Sequence, residues 1–561
     1  MSGEAQTPRT DCEPQTRAGS AATMTGGEAL ARGLIRSGFD TVFGLPGIQS
    51  DALFNAFYDH RTRLRVLHTR HEQGAAYLAL GAALASGRPA ACSVVPGPGL
   101  LNASAALATA HALGAPLLLL CGQIPLAQIG RGWGALHELP DQLAILRSFT
   151  KLALRIEHPS QVPGALAAAM AALGTGRPRP VALEIPMDVL AQSAPVAGCP
   201  ATQLAAAPHP SRSGAPIDEA LLERLAVTLA AARAPLLFVG SGAQDAAPQV
   251  RRLAELLAAP VVGYRTGRGV VDSRSPFSFV LPAARPLWDR SDVVLALGTT
   301  LRIPLQSWES PPGQKLLRID IDPASHELIR RPYLALSGSL EAALPRLHER
   351  LAALGARATW RLEDLEAAQH QWQQRVSVLE PQNSYLKVIR SALREDGVLV
   401  DELTQVGFAS RLAFPVYHPR TFLSTGYMGT LGWGFPTALG AKVARPERRV
   451  VSITGDGGFM FAASELATAV QHGIAVVIIL FNNHQFGNVQ QMQRELYGGR
   501  IIASDLVNPD FLQLAGSFGV EAARAHSPEE LAVALERALA LDVPYLIEVP
   551  VGDMPSVDRF R

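Results

Sequence analysis

Two short segments hold residue types suited to gripping a divalent cation against a phosphate chain. The first is Gly455-Asp456-Gly457-Gly458, which closes the apolar run Val450–Thr454. Glycines there let backbone N–H groups approach phosphate oxygens, and a helix beginning soon afterwards, expected near Ala462, favours an anion. A carboxylate in the same turn can bind a cation that bridges two phosphates. The second segment is Asn482-Asn483-His484-Gln485, at the end of the run Val476–Phe481. Asn483 follows Asp456 by 27 positions (483 − 456), the length of one strand–helix–strand unit. Neighbouring strand ends can therefore bring both side chains to one ion. The amide oxygen of Asn483 is a hard ligand, and the backbone carbonyl of Gln485 is a candidate third, leaving phosphate oxygens and water to complete an octahedron. Either segment alone is more simply a turn; the two at this spacing favour a site.

Other segments can add chemistry around such a site. Thr69-Arg70-His71-Glu72-Gln73-Gly74 follows the strand Arg65–His68 and opens a helix read as Glu72–Ala85. A glutamate in a first helical turn is, taken alone, a common complement to the helix dipole. The run Ser424-Thr425-Gly426-Tyr427-Met428-Gly429-Thr430-Leu431-Gly432-Trp433-Gly434 precedes the Gly-Asp-Gly turn, and Thr404-Gln405 and Phe486-Gly487-Asn488 each lie just past a strand end.

Apolar strands alternating with Ala- and Leu-rich helices must position these residues, a pattern that predicts parallel α/β sheets. Strands are expected at Thr41–Gly44, Ala90–Val95, Leu117–Cys121 and Val181–Ile185, then at Pro235–Gly240, Val293–Gly298 and Leu316–Asp320, and finally at Val398–Asp401, Val450–Thr454, Val476–Phe481 and Tyr545–Val549. The fold class is α/β, with three doubly wound parallel-sheet domains at 24–192, 216–355 and 380–552. Residues 1–23 read as a disordered extension and the Pro/Ala/Ser-rich stretch 193–215 as a linker. In open sheets ligands bind beyond the carboxyl ends of the strands, where every candidate above sits. Gly240-Ser241-Gly242 also follows a strand, but the full glycine fingerprint of a nucleotide site is missing, and a simple turn is expected.

Composition sets limits on partners and compartment. Of the 561 residues 48% are hydrophobic and 18% charged, enough apolar material for several cores, and the formal net charge of +1 with no basic stripe argues against a nucleic-acid partner. Cys12, Cys92, Cys121 and Cys199 show no CxxC spacing and read as thiols of a reducing compartment. No uncharged run is long enough to span a membrane, and the N-terminus lacks the apolar middle of a signal peptide, so a cytoplasmic location is expected.

The Gly-Asp-Gly opening with its Asn-Asn close resembles the signature of thiamine-diphosphate (ThDP) enzymes, and Arg70-His71-Glu72 looks like the matching segment of acetolactate synthases. From Met24 to about Asp553 the chain is similar to the group that includes acetolactate synthase, benzaldehyde lyase and 2-oxo-acid decarboxylases. The resemblance implies pyrimidine-binding, central and diphosphate-binding domains, with ThDP and Mg2+ as cofactors. It implies that Glu72 is catalytic, bonding the pyrimidine ring to promote the imino tautomer that removes the thiazolium proton. It makes Asp456, Asn483 and Gln485 the metal ligands. It assigns cofactor contacts to Glu72, Thr404, Gln405, Gly455, Asp456, Gly457, Gly458, Asn483, Gln485, Phe486, Gly487 and Asn488. The Gly429 carbonyl would accept from the 4′-amino group, and Leu431 would wedge between the two rings. Active sites of this family lie between subunits, so a homodimer or homotetramer is implied.

Departures from the family pattern concern the substrate. Leu136-His137-Glu138 stands where acetolactate synthases carry Phe-Gln-Glu. Gln49 lies near the place where benzaldehyde lyase has a histidine. Gln49 and His137 are therefore candidates both for catalysis and for the substrate pocket, although His137 fits a structural loop residue equally well. Met492 stands near a tryptophan that shapes the second-substrate pocket. The stretches associated with flavin are missing, so FAD is not expected. The expected reaction is decarboxylation or carboligation of a 2-oxo acid with an aldehyde or ketone acceptor. A lyase of 2-hydroxy ketones or diketones without decarboxylation, and a non-catalytic ThDP-binding protein, are the alternatives.

Overall fold

The computed structural model describes residues 21–197, 214–357 and 360–560. Three six-stranded parallel sheets form its frame. The first runs in the order Arg65–His68, Thr41–Gly44, Ala90–Val94, Leu117–Gln123, Val181–Pro186, Leu152–Arg155. The second runs Ser278–Phe279, Val261–Gly263, Pro235–Val239, Val293–Leu297, Lys315–Asp320, Leu334–Ser337, and the third Phe422–Leu423, Val398–Val400, Val450–Gly455, Val477–Asn482, Tyr545–Pro550, Glu521–Arg524. Central strands such as Leu117–Gln123 and Val477–Asn482 are buried along their whole length, as strands covered by helices on both faces must be.

The first and third sheets share one apolar core. Its seam is the helix Glu72–Ser86 against the helix Gly434–Ala444. A Cβ on Gly81 would lie 2.0 Å from the Thr437 carbonyl oxygen, and one on Gly440 would lie 1.8 Å from that of Leu78. Only glycine allows the two backbones to approach so closely.

The N-terminal reading needs correction. Ala22–Thr25 is a strand that pairs antiparallel with Ser193–Val196. Ordered backbone therefore takes in residues 22 and 23, assigned to the extension, and residues 193–196, assigned to the linker. The pairing satisfies backbone groups of both segments and ties the start of the first domain to its end. The rest of the extension to residue 20, residues 198–213 of the linker, Cys12 and Cys199 lie outside the described residues. Cys92 and Cys121 are buried and free. Among the described residues no helix is long and apolar enough to cross a membrane.

Candidate active site

Pairing of Gly455 with Phe481 on adjacent parallel strands puts the Gly-Asp-Gly turn beside the Asn-Asn turn. The helix expected near Ala462 is Glu465–His472, and a short helix, Asp456–Met460, precedes it and begins on Asp456 itself. Asp456 thus stands at a helix start with its carboxylate 2% exposed. Burial raises its pKa, against the opposing effect of an Asn508 hydrogen bond.

A cavity opens at these strand ends. Its walls include Thr404, Gln405, Leu431, Gly455, Asp456, Gly457, Gly458, Asn483, Gln485, Phe486, Gly487 and Asn488. Val551, Gly552 and Met554 from the C-terminal segment close another side. Gln405 Oε1, buried at the wall, has no hydrogen-bond partner among the described residues. Gly429, with φ of +63°, and Met492, 39% exposed on the helix Gly487–Leu496, are not among the lining residues.

The donors at this cavity suit a cation shared with a phosphate ligand. Asp456 is the only acidic residue of the wall. Among the described residues no group of three or more His, Cys, Asp and Glu side chains could hold an ion unaided. One carboxylate, the Asn483 amide and a carbonyl are hard oxygen donors that leave coordination positions for phosphate oxygens, so the residues fit a Mg2+–diphosphate pair.

Sequence reasoning missed the roles of three residues, of which Asn508 and Glu402 support this region. Asn508 Nδ2 donates to Asp456 Oδ2 at 2.7 Å and to Asn482 Oδ1 at 3.0 Å, while Asn482 Nδ2 donates to Glu548 Oε1 at 2.8 Å. This network sets which way the Asp456 carboxylate faces. Glu402, 1% exposed, accepts from the Gly432 N–H at 2.6 Å and from the Thr454 hydroxyl, so it links the Leu431 turn to the Gly-Asp-Gly strand. Burial pushes its pKa up to about 7, although these bonds lower it. Glu465 reaches into the first domain, as described below. Only Glu402 carried a sequence signal, an acid at a strand end two residues before Thr404.

The first domain presents a different surface. Glu72 begins its helix, is buried, and accepts from Asn102 Nδ2 at 3.0 Å. Gln49, 2% exposed, donates from Nε2 to the Leu136 carbonyl at 3.0 Å and so holds the loop that carries His137. His137 adopts a left-handed backbone (φ 70°) against Gly97, whose added Cβ would lie 2.6 Å from the His137 carbonyl oxygen. Gln49 Oε1 and His137 Nδ1 are both buried without a hydrogen-bond partner among the described residues. The structure thus brings Gln49 and His137 together, but neither they nor Glu72 line the cavity of the third domain in the same chain.

Three family models match the chain in order. The N-terminal TPP binding domain of thiamine pyrophosphate enzymes matches residues 24–145, the central domain residues 222–347, and the C-terminal TPP binding domain residues 403–549. A probable 2-ketoarginine decarboxylase of Pseudomonas aeruginosa is 36% identical over 91% of this chain and 91% of its own. The chain belongs to the thiamine pyrophosphate enzyme family.

Other members of the family are similarly related. A probable acetolactate synthase large subunit of Methanocaldococcus jannaschii is 32% identical over 95% of this chain and 93% of its own. The isozyme 1 large subunit of Escherichia coli acetolactate synthase is 29% identical over 94% of each. As a thiamine pyrophosphate enzyme the chain uses ThDP as its cofactor. A further cavity lies where the three domains meet, bounded by Leu113 of the first, Gly240, Gly242 and Gly298 of the central and Gly426 of the third. Cβ atoms on Gly240 and Gly242 would lie 2.5 and 2.8 Å from Gly298 backbone atoms, so close packing of two turns accounts for these glycines without a ligand.

Proposed function

We propose that the protein is a ThDP- and Mg2+-dependent decarboxylase or carboligase of 2-oxo acids, working as a homodimer or homotetramer with its active sites between subunits. One observation carries this reading. The cavity with Asp456 and Asn483 has no other acid in its wall, while the buried Glu72 belongs to a face of the first domain that forms no part of it. A second subunit supplies the missing carboxylate. Exposed apolar side chains flank both halves: Ile48, Leu101, Trp133 and Leu136 on the first domain, and Phe461, Val489, Leu496 and Ile502 on the third. Burying such patches is a main driving force for association.

In this reading Asp456, Asn483 and the Gln485 carbonyl hold the metal. Glycines 455, 457 and 458 let backbone N–H groups face the diphosphate. Leu431, in the cavity wall, would wedge between the two rings, and the Gly429 carbonyl would accept from the amino group. When bound, ThDP supplies a thiazolium that accepts the electron pair of the bond broken next to the carbonyl. Glu72 of the opposite subunit shares a proton with the pyrimidine ring, held for this by Asn102. Gln49 and His137 bring an acceptor and a ring nitrogen to the same region, where they orient the substrate carbonyl and the incoming acceptor. Met492, on the helix Gly487–Leu496 whose first turn lines the cavity, would border the second-substrate pocket.

The test is a substrate panel. The protein is incubated with ThDP, Mg2+ and pyruvate, benzoylformate or a guanidino-bearing 2-oxo acid, the last included because of the relative named for 2-ketoarginine. Carbon dioxide release supports the proposal. Cleavage of benzoin or acetoin without carbon dioxide would favour a lyase, and tight ThDP binding with no turnover of any substrate would favour a non-catalytic protein.

A further inference from the structure

Glu465 starts the helix Glu465–His472, nine positions beyond Asp456, yet its side chain leaves the third domain. It is 1% exposed. Its Oε1 accepts from the His71 N–H at 3.1 Å, and both carboxylate oxygens accept from the Arg70 N–H, at 3.3 and 3.2 Å. The Thr468 hydroxyl donates to Oε2 at 2.5 Å and fixes the rotamer. Arg70 and His71 are the two residues before Glu72, and His71 is the N-cap of its helix. N–H groups at a helix start have no partner within the helix, and the helix dipole favours an anion there. A carboxylate from another domain therefore caps the segment that carries the catalytic acid.

The sequence accommodates this contact at Gly74. A Cβ there would lie 2.3 Å from Glu465 Oε1, so glycine at the third helical position leaves the space the carboxylate fills. Glu465 lines no part of its own domain's cavity.

We propose that Glu465 is a positioning residue that sets, within one subunit, how the Arg70-His71-Glu72 segment is presented to ThDP held by the other subunit. This rests on the intersubunit reading above. Glu465 thus governs the active site that its own chain completes with Glu72. It does not govern the cavity formed by its own chain's Asp456, close as the two residues are in sequence.

Hybrid dimers, assembled from differently tagged chains and loaded with ThDP and Mg2+, separate these effects. The readouts are hydrogen–deuterium exchange at the cofactor's C2 and the Kd for ThDP. A hybrid of Glu72→Gln with Asp456→Ala keeps one intact site only if sites are shared between subunits. If it exchanges no faster than its parents, the intersubunit reading fails, whatever Glu465 does. With that control active, Glu465→Gln paired with Asp456→Ala should match it, because the working cavity receives Glu72 from the chain with Glu465 intact. Glu465→Gln paired with Glu72→Gln should exchange about a hundredfold more slowly, as a displacement of about 1 Å at a reacting group can cause, with the Kd for ThDP unchanged. Equal impairment of both pairings, or of neither, overturns the proposal. If the Glu465→Gln chain does not assemble, Gly74→Ala displaces the same carboxylate from the opposite side and must show the same asymmetry.

Discussion

The carboxyl ends of the first and third sheets are built alike but have different shapes. At the third, two glycine- and asparagine-rich turns on adjacent strands draw back from each other and leave a cavity with Asp456 in its wall. At the first, Glu72 is buried, and Gln49 and His137 carry buried atoms that lack partners among the described residues. One end is shaped to receive a ligand and the other to be applied to one. Under the proposed function, two domains of similar topology divide one chemical task, binding at the hollow and proton transfer at the face.

That division is open to attack. The largest effect should come from the hollow: Asp456→Ala should abolish both turnover and the thermal shift that ThDP with Mg2+ produces. A variant that still takes up cofactor would show that the metal site lies elsewhere. On the face, Glu72→Gln should cut kcat by about 10²–10⁴, the usual contribution of a positioned acid or base, while cofactor binding persists. Loss of binding in this variant would erase the distinction between the two ends.

Asn508→Ala sharpens the account of the hollow. It removes the donor that orients Asp456 and should weaken Mg2+ affinity about 10–100-fold, as loss of a residue supporting a metal ligand does, measured by titrating metal into the ThDP-bound enzyme. Unchanged affinity would show that Asn508 only fills space.

The smallest effect on turnover concerns Glu402, beneath the hollow. In the native protein it keeps its proton up to about pH 7, whereas the free side chain releases it near 4.5. The native state binds more protons between these values, so this group's contribution to stability is lost as pH rises from about 4.5 to about 7. Glu402→Gln keeps the shape and removes the titration. Its stability relative to the unaltered protein should rise through that window, by up to about 3 kcal/mol, as read from denaturant melts at a series of pH values. A difference that does not vary with pH would mean that Glu402 is ionised throughout.

The legible parts of the fold were the strands buried on both faces. Leu117–Gln123 and Val477–Asn482 are unbroken apolar runs closed by polar turns, and their limits were found to within two residues. The edge strands Leu152–Arg155, Leu334–Ser337 and Glu521–Arg524 escaped notice because a short strand covered on fewer sides need not be apolar throughout, and Ser278–Phe279 and Phe422–Leu423 because two residues are too short to show a period. The same logic holds at the site. Gly455-Asp456-Gly457 and Asn482-Asn483 express their role within a few residues of chain. Glu465 does not, since its partner Arg70 lies 395 positions away. Asn508, 52 positions from Asp456, acts through a contact that only folding creates.

The glycine seam between the first and third domains has a bearing on biosynthesis. The helix Glu72–Ser86 is buried on nearly every side, and the helix that covers it begins at Gly434, 348 positions (434 − 86) after Ser86. At the usual pace of translation, about 5–20 residues per second, the first helix waits about 17–70 seconds for its cover. A fragment ending after the first domain would keep that apolar surface bare, and truncated chains should need chaperone protection or precipitate.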